Sequence, residues 1–75
     1  MENTNYTTAL AMRKRAWHYI INAKTDATLE QAVELINEVY TNLYYIQRDM
    51  GRKVKKQKLS VAQAKKFQEL YSEAA

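Results

Sequence analysis

The strongest constraint on the fold of this chain is a heptad pattern between Thr28 and Met50. Leu29, Ile36, Leu43 and Met50 recur every seven residues, and Ala32, Val39 and Ile46 recur every seven in the intervening register. Apolar residues at this a/d spacing share one face of a helix and hold it against a partner helix. Val33 and Tyr40 widen the face on one side and Leu35 on the other. The stretch therefore predicts a helix over 28–50, roughly 35 Å long at 1.5 Å per residue, that touches two neighbours rather than one. Glu30, Glu34 and Glu38 fall on the opposite side as an acidic ridge. The run from Val39 to Ile46 is rich in strand formers, but it does not alternate and it keeps the heptad in phase, so helix is expected there too.

The flanks read as helices as well. The chain has no Pro and a single Gly, which favours helices joined by short connections. From about residue 5 to 24, Ala9, Leu10, Ala16, Trp17, Ile20 and Ile21 share a broad face, with Tyr6 at its start. Arg13 points near the middle of that face. A short link follows, with Thr28 and Gln31 spaced as a capping box and Thr25 or Asp26 as other candidate caps. A link this short makes the first two helices antiparallel neighbours. A register in which paired residue numbers sum to about 51 brings Arg13 level with Glu38, so an Arg13–Glu38 contact is expected.

Gly51 closes the heptad seam, either as the glycine that ends the helix or as a residue the helix runs through at a cost near 1 kcal/mol. Residues 51–59 are then a basic connection. Ser60 and Gln63 form a second capping-box pair, and Ala64, Phe67, Leu70, Tyr71 and Ala74 place an apolar face on a third helix over about 60–73. The expected fold is all-α: one domain spanning 1–75, an antiparallel helical hairpin with a third C-terminal helix, a small bundle.

Chains of 75 residues bury only about 60% of their unfolded surface. There is no Cys to supply a disulfide and only one His, so neither disulfides nor a structural zinc site can compensate. Helix packing and association with another copy remain, and the spare width of the central seam predicts a homo-oligomer. The polar, acidic start has no signal-peptide character, and no apolar run approaches the roughly 20 residues of a membrane span. A cytoplasmic protein without membrane contact is expected.

Charge is the one functional pointer. Residues 1–47 carry four Lys/Arg against five acids, whereas residues 48–75 carry eight against three. Arg52, Lys53, Lys55, Lys56 and Lys58, with Lys65 and Lys66 beyond, are candidate contacts for an acidic macromolecular surface, protein or nucleic acid. Tyr45 points away from the seam, towards the acidic ridge, and an exposed aromatic beside cations can bind or stack. Catalytic signals are missing. His18 has no nucleophile or orienting group near it in sequence, and the glutamate ridge is patterned as a solvated face. One Gly excludes phosphate-binding and dinucleotide loops, and no zinc-protease, nucleophile-elbow or EF-hand pattern occurs. No cofactor or metal is expected. The expectation is a non-enzymatic binding or regulatory module, such as an inhibitor or adaptor of a nucleic-acid-handling protein. The alternatives are direct non-specific nucleic-acid binding through residues 52–66 and a purely structural oligomerisation module.

Overall fold

The computed structural model describes residues 4–73, and all three regular elements among them are helices: α1 (Thr4–Asn22), α2 (Asp26–Asp49) and α3 (Val61–Glu73). Ala74 lies outside the described residues. Helices α1 and α2 form the antiparallel hairpin, and α3 lies across its closed end. The molecule measures 39 × 20 × 20 Å. Its long axis is that of α2, whose 24 residues rise roughly 36 Å.

Helix α2 begins two residues earlier than the heptad suggests, because Thr25 is its N-cap. Thr25 is extended (φ −124°, ψ 158°). The Thr28 N–H donates to Thr25 Oγ1, and the Thr25 N–H donates to Thr28 Oγ1, each at 3.2 Å. Thr28 thus plays the part usually given to Glu or Gln in a capping box, and Gln31 does not. Asp26 enters the first turn, where the helix dipole favours a carboxylate.

The seam is buried where α1 covers it. Leu29, Ala32, Val33, Ile36, Val39 and Leu43 are all inside, whereas Ile46 is half-buried and Met50 is 41% exposed. The core falls into two parts. At the closed end Ala16, Ile20, Leu29, Ala32, Val33 and Ile36 meet Leu59 and Ala64. At the open end Ala9, Val39 and Leu43 pack with Tyr6, Leu10 and Ile46. Alanines at 9, 16, 32 and 64 let the three helix backbones approach closely. Edge-on packing of Trp17 against Phe67, with centroids 4.9 Å apart, fixes α3 on α1.

At the C-terminus of α1 the Ala23 N–H donates a long local bond to Ile20 O, 3.4 Å. The last carbonyls of the helix are also served across the fold by Gln68 of α3, whose Nε2 donates to Ile20 O at 2.7 Å and Ala23 O at 2.9 Å. This satisfies acceptors that a helix end otherwise leaves open. Ser60 and Gln63 cap α3 as expected: the Gln63 N–H donates to Ser60 Oγ (3.2 Å) and the Ser60 N–H to Gln63 Oε1 (2.9 Å).

The expected Arg13–Glu38 contact is not made. Arg13 lies beside Tyr40, Leu43, Tyr44 and Gln47, while Glu38 lies with Glu34, Asn37, Thr41 and Asn42. The level along the hairpin is close to the expected one, but the rotation is wrong. Residues 38 and 40 are about 200° apart around a helix of 3.6 residues per turn, and α1 faces the side that carries Tyr40.

Candidate functional site

The basic connection is held at both ends, and this decides where its cations sit. At the first end the chain leaves α2 through a complete Schellman turn. Gly51 takes φ +84°, its N–H donates to Arg48 O, and the Arg52 N–H donates to Gln47 O, both at 3.0 Å. Only glycine enters this left-handed region without strain, so α2 stops here rather than running through.

At the second end Leu59 is buried in the core, and its peptide groups are matched by one side chain. The Leu59 N–H donates to Asn37 Oδ1 at 2.7 Å, and Asn37 Nδ2 donates to Leu59 O at 3.0 Å. Between Gly51 and Leu59 the chain retraces α2 from its C-terminus to the level of Asn37. That is roughly 20 Å at 1.5 Å per residue, covered by eight steps of chain at about 2.5 Å each, roughly three quarters of full extension, so the connection is a drawn-out strap.

The strap lies over the tyrosine-rich side of α2. Arg13, Tyr40, Leu43, Tyr44, Gln47, Val54, Lys55 and Gln57 enclose a depression of about 200 Å³. Beside it Tyr44, Arg48, Arg52, Lys53, Val54 and Lys55 line a second one of about 380 Å³. Tyr44, Val54 and Lys55 form the wall the two share. The Lys56 ammonium sits 5.9 Å from the centroid of Tyr45, and the Tyr44 ring meets Tyr45 at 73° with centroids 5.3 Å apart.

Tyr6 joins α1 to the root of the strap. Its hydroxyl accepts long hydrogen bonds from Gln47 Nε2 and Arg52 Nη1, each 3.4 Å, and the Arg52 guanidinium also lies 5.3 Å from the ring centroid. The donor from Gln47, then the donor and charge of Arg52, hold the Tyr6 phenol below the ordinary tyrosine range against a smaller opposing effect of burial.

Among the described residues the one ion pair is Lys65 to Asp26, at 3.6 Å. Both groups are well exposed, so the pair is worth at most about 1 kcal/mol. It also places Lys65 at the closed end of the hairpin, with Lys66 next to it on an exposed turn of α3. Residues Arg52, Lys53, Lys55 and Lys56 are therefore brought together, Lys58 extends the row towards Leu59, and Lys65 and Lys66 belong to another part of the surface. No protein-family model matches the chain, and no curated protein or solved structure is significantly similar to it.

Two cations join the site that sequence reasoning left out of it. Arg13, from α1, shares the smaller depression with Lys55, and Arg48, in the last turn of α2, shares the larger one with Arg52 and Lys53. The position of Arg13 on an otherwise apolar face was the visible signal; its partner there is aromatic and cationic, not a carboxylate. Glu34 and Glu38 line a different depression on α2, with Asn37, Thr41 and Asn42. His18 is exposed, in a shallow groove with Arg13, Lys14 and Trp17. No group of three His, Cys, Asp or Glu among the described residues could hold a metal ion, and no described helix is long and apolar enough to cross a membrane.

Proposed function

We propose that the protein is a non-enzymatic binding module that occupies an acidic macromolecular surface through the strap face. The observation that carries this reading is the gathering of Arg13, Arg48, Arg52, Lys53 and Lys55 around Tyr44, with none of the five in an ion pair among the described residues. Cations held side by side and left without carboxylates repel one another, and a polyanionic partner relieves that repulsion while releasing its own counterions. Covering such a surface on a nucleic-acid-handling protein, or on its nucleic acid, makes the module an inhibitor or an adaptor.

The test is a binding series with Lys53→Glu, Lys55→Glu and Lys56→Glu combined. All three residues are exposed, so the fold is retained. Retention on an immobilised polyanion should fall steeply with salt for the native chain and be lost in the triple variant. Equal retention of the two proteins contradicts the reading.

A second reading, self-association, rests on a different observation. A groove of about 560 Å³ at the closed end of the hairpin is lined by Tyr19, Ala23, Ala32 and Leu35 among others, with no residue of α3 in its wall. Light scattering of the native chain and of Leu35→Glu separates the two cases: a dimer that becomes a monomer supports association through this groove, and a monomer in both removes it.

A further inference from the structure

We infer that the strap face takes single-stranded nucleic acid, with phosphates on the strap cations and a base stacked on Tyr45; this rests on the acidic-surface reading above and narrows it to one partner. Three features of the face favour that ligand. First, Tyr45 is 48% exposed, with the Tyr44 ring at 73° to it. The Lys56 ammonium lies over the Tyr45 ring, 5.9 Å from the centroid, on a flexible stem that a base can displace. A half-open aromatic ring beside cations is the arrangement on which unpaired bases stack while their phosphates are neutralised. A carboxylate-bearing protein surface or a sulphated polysaccharide uses the cations but has no need of the ring.

Second, the strap is drawn out and anchored at Gly51 and Leu59. Its cations form a row roughly 13 Å long from Lys53 to Lys58, at the roughly 2.5 Å per residue that the strap covers, which suits a flexible strand of a few nucleotides. Third, the face is poorly built for a duplex. No helix projects from it to enter a groove. The helix end that reaches it is the C-terminus of α2, whose carbonyls face the wrong way to hold a phosphate. In a duplex the base faces are also hidden from Tyr45.

Fluorescence anisotropy of the full chain tests this with three labelled probes: oligo-dT, a duplex of equal length and a heparin fragment. Oligo-dT should bind more tightly than the duplex at the same salt. Replacing Tyr45 by Leu should weaken oligo-dT binding by about 5- to 150-fold, the range of one base–aromatic stack, and leave heparin binding unchanged, while Tyr45→Phe retains the native affinity for all three. Circular dichroism should show the native helix content in both variants, because Tyr45 lies outside the core. If oligo-dT binding is indifferent to Tyr45→Leu, or the duplex binds as tightly as the single strand, the inference is overturned and the acidic-surface reading stands. If none of the three probes binds, both fall.

Discussion

Asn37 is the side chain on which the geometry of the strap depends. Replacing it with Ala removes the donor to Leu59 O and the acceptor for the Leu59 N–H. Each hydrogen bond contributes a net 0.5–1.5 kcal/mol, roughly, and more if the orphaned group stays shut away from water. Both groups here are partly buried, so the loss is about 1–3 kcal/mol. Alanine returns up to about 0.7 kcal/mol through its better helix propensity at a mid-helix position. The net destabilisation is therefore about 1–2 kcal/mol, which for a domain of this size lowers Tm by roughly 4–16 °C.

Thermal unfolding followed by circular dichroism measures that shift, and amide hydrogen exchange locates it. The Leu59 amide should lose protection by more than the amides of the α2 interior. Asn37→Asp sharpens the case, because it keeps the acceptor for the Leu59 N–H but sets a carboxylate against the Leu59 carbonyl. It should therefore be no more stable than Asn37→Ala near neutral pH. Should Asn37→Ala unfold at the native temperature with Leu59 still protected, the side chain is not what holds the strap.

Gln68→Ala removes the Gln68 donor to Ala23 O and leaves Ile20 O with the longer bond from the Ala23 N–H, and should cost about 1–3 kcal/mol in chemical denaturation; an unchanged midpoint would falsify the cross-fold cap. Gly51→Ala meets no atom within 4 Å of the new Cβ, so its cost is that of the left-handed backbone alone, about 1–2 kcal/mol. The Schellman turn is misassigned if that variant is as stable as the native chain. Tyr6 should ionise at lower pH than an exposed tyrosine, as read by ultraviolet titration, and Gln47→Leu should move it back up. Because the folded-state value is depressed, the ionised phenol adds stability that is present above the ordinary tyrosine value and disappears as pH falls through the folded one. A Tyr6 titration at the ordinary tyrosine value contradicts this.

Much of the helix layout is legible in the residue order because it follows from local rules. The seam from Leu29 to Leu43 is buried as its spacing requires, and Ser60 with Gln63 and Gly51 mark helix ends that the structure realises. Features that depend on azimuth or on long-range pairing are not legible in the same way. Level and rotation are separate variables in a helical hairpin, and heptad spacing constrains the first more tightly than the second, which is why Arg13 borders the same depression as Tyr40 and Tyr44 and not the face of Glu38. Leu59 is one apolar residue beside a basic run, and nothing local distinguishes it from a solvated loop residue. Asn37 is a poor helix former in a helix interior, a mild signal that its side chain has another use, but its partner lies 22 positions away. The strap cations were recognisable by charge; their convergence with Arg13 and Arg48 needed the return path of the chain.

The double anchoring of the strap also bears on how quickly and how selectively it can be used. Ordering a free segment on contact costs about 1–2 kcal/mol for each residue fixed, and a ligand that had to immobilise Arg52 to Lys58 would bind more weakly for it. Here the turn at Gly51 and the Asn37–Leu59 pair impose that order during folding, together with the burial of Leu59. Under the proposed function, a polyanion would meet a charge row already in place, so association would need no conformational search and most differences between ligands would be expressed in how slowly they leave.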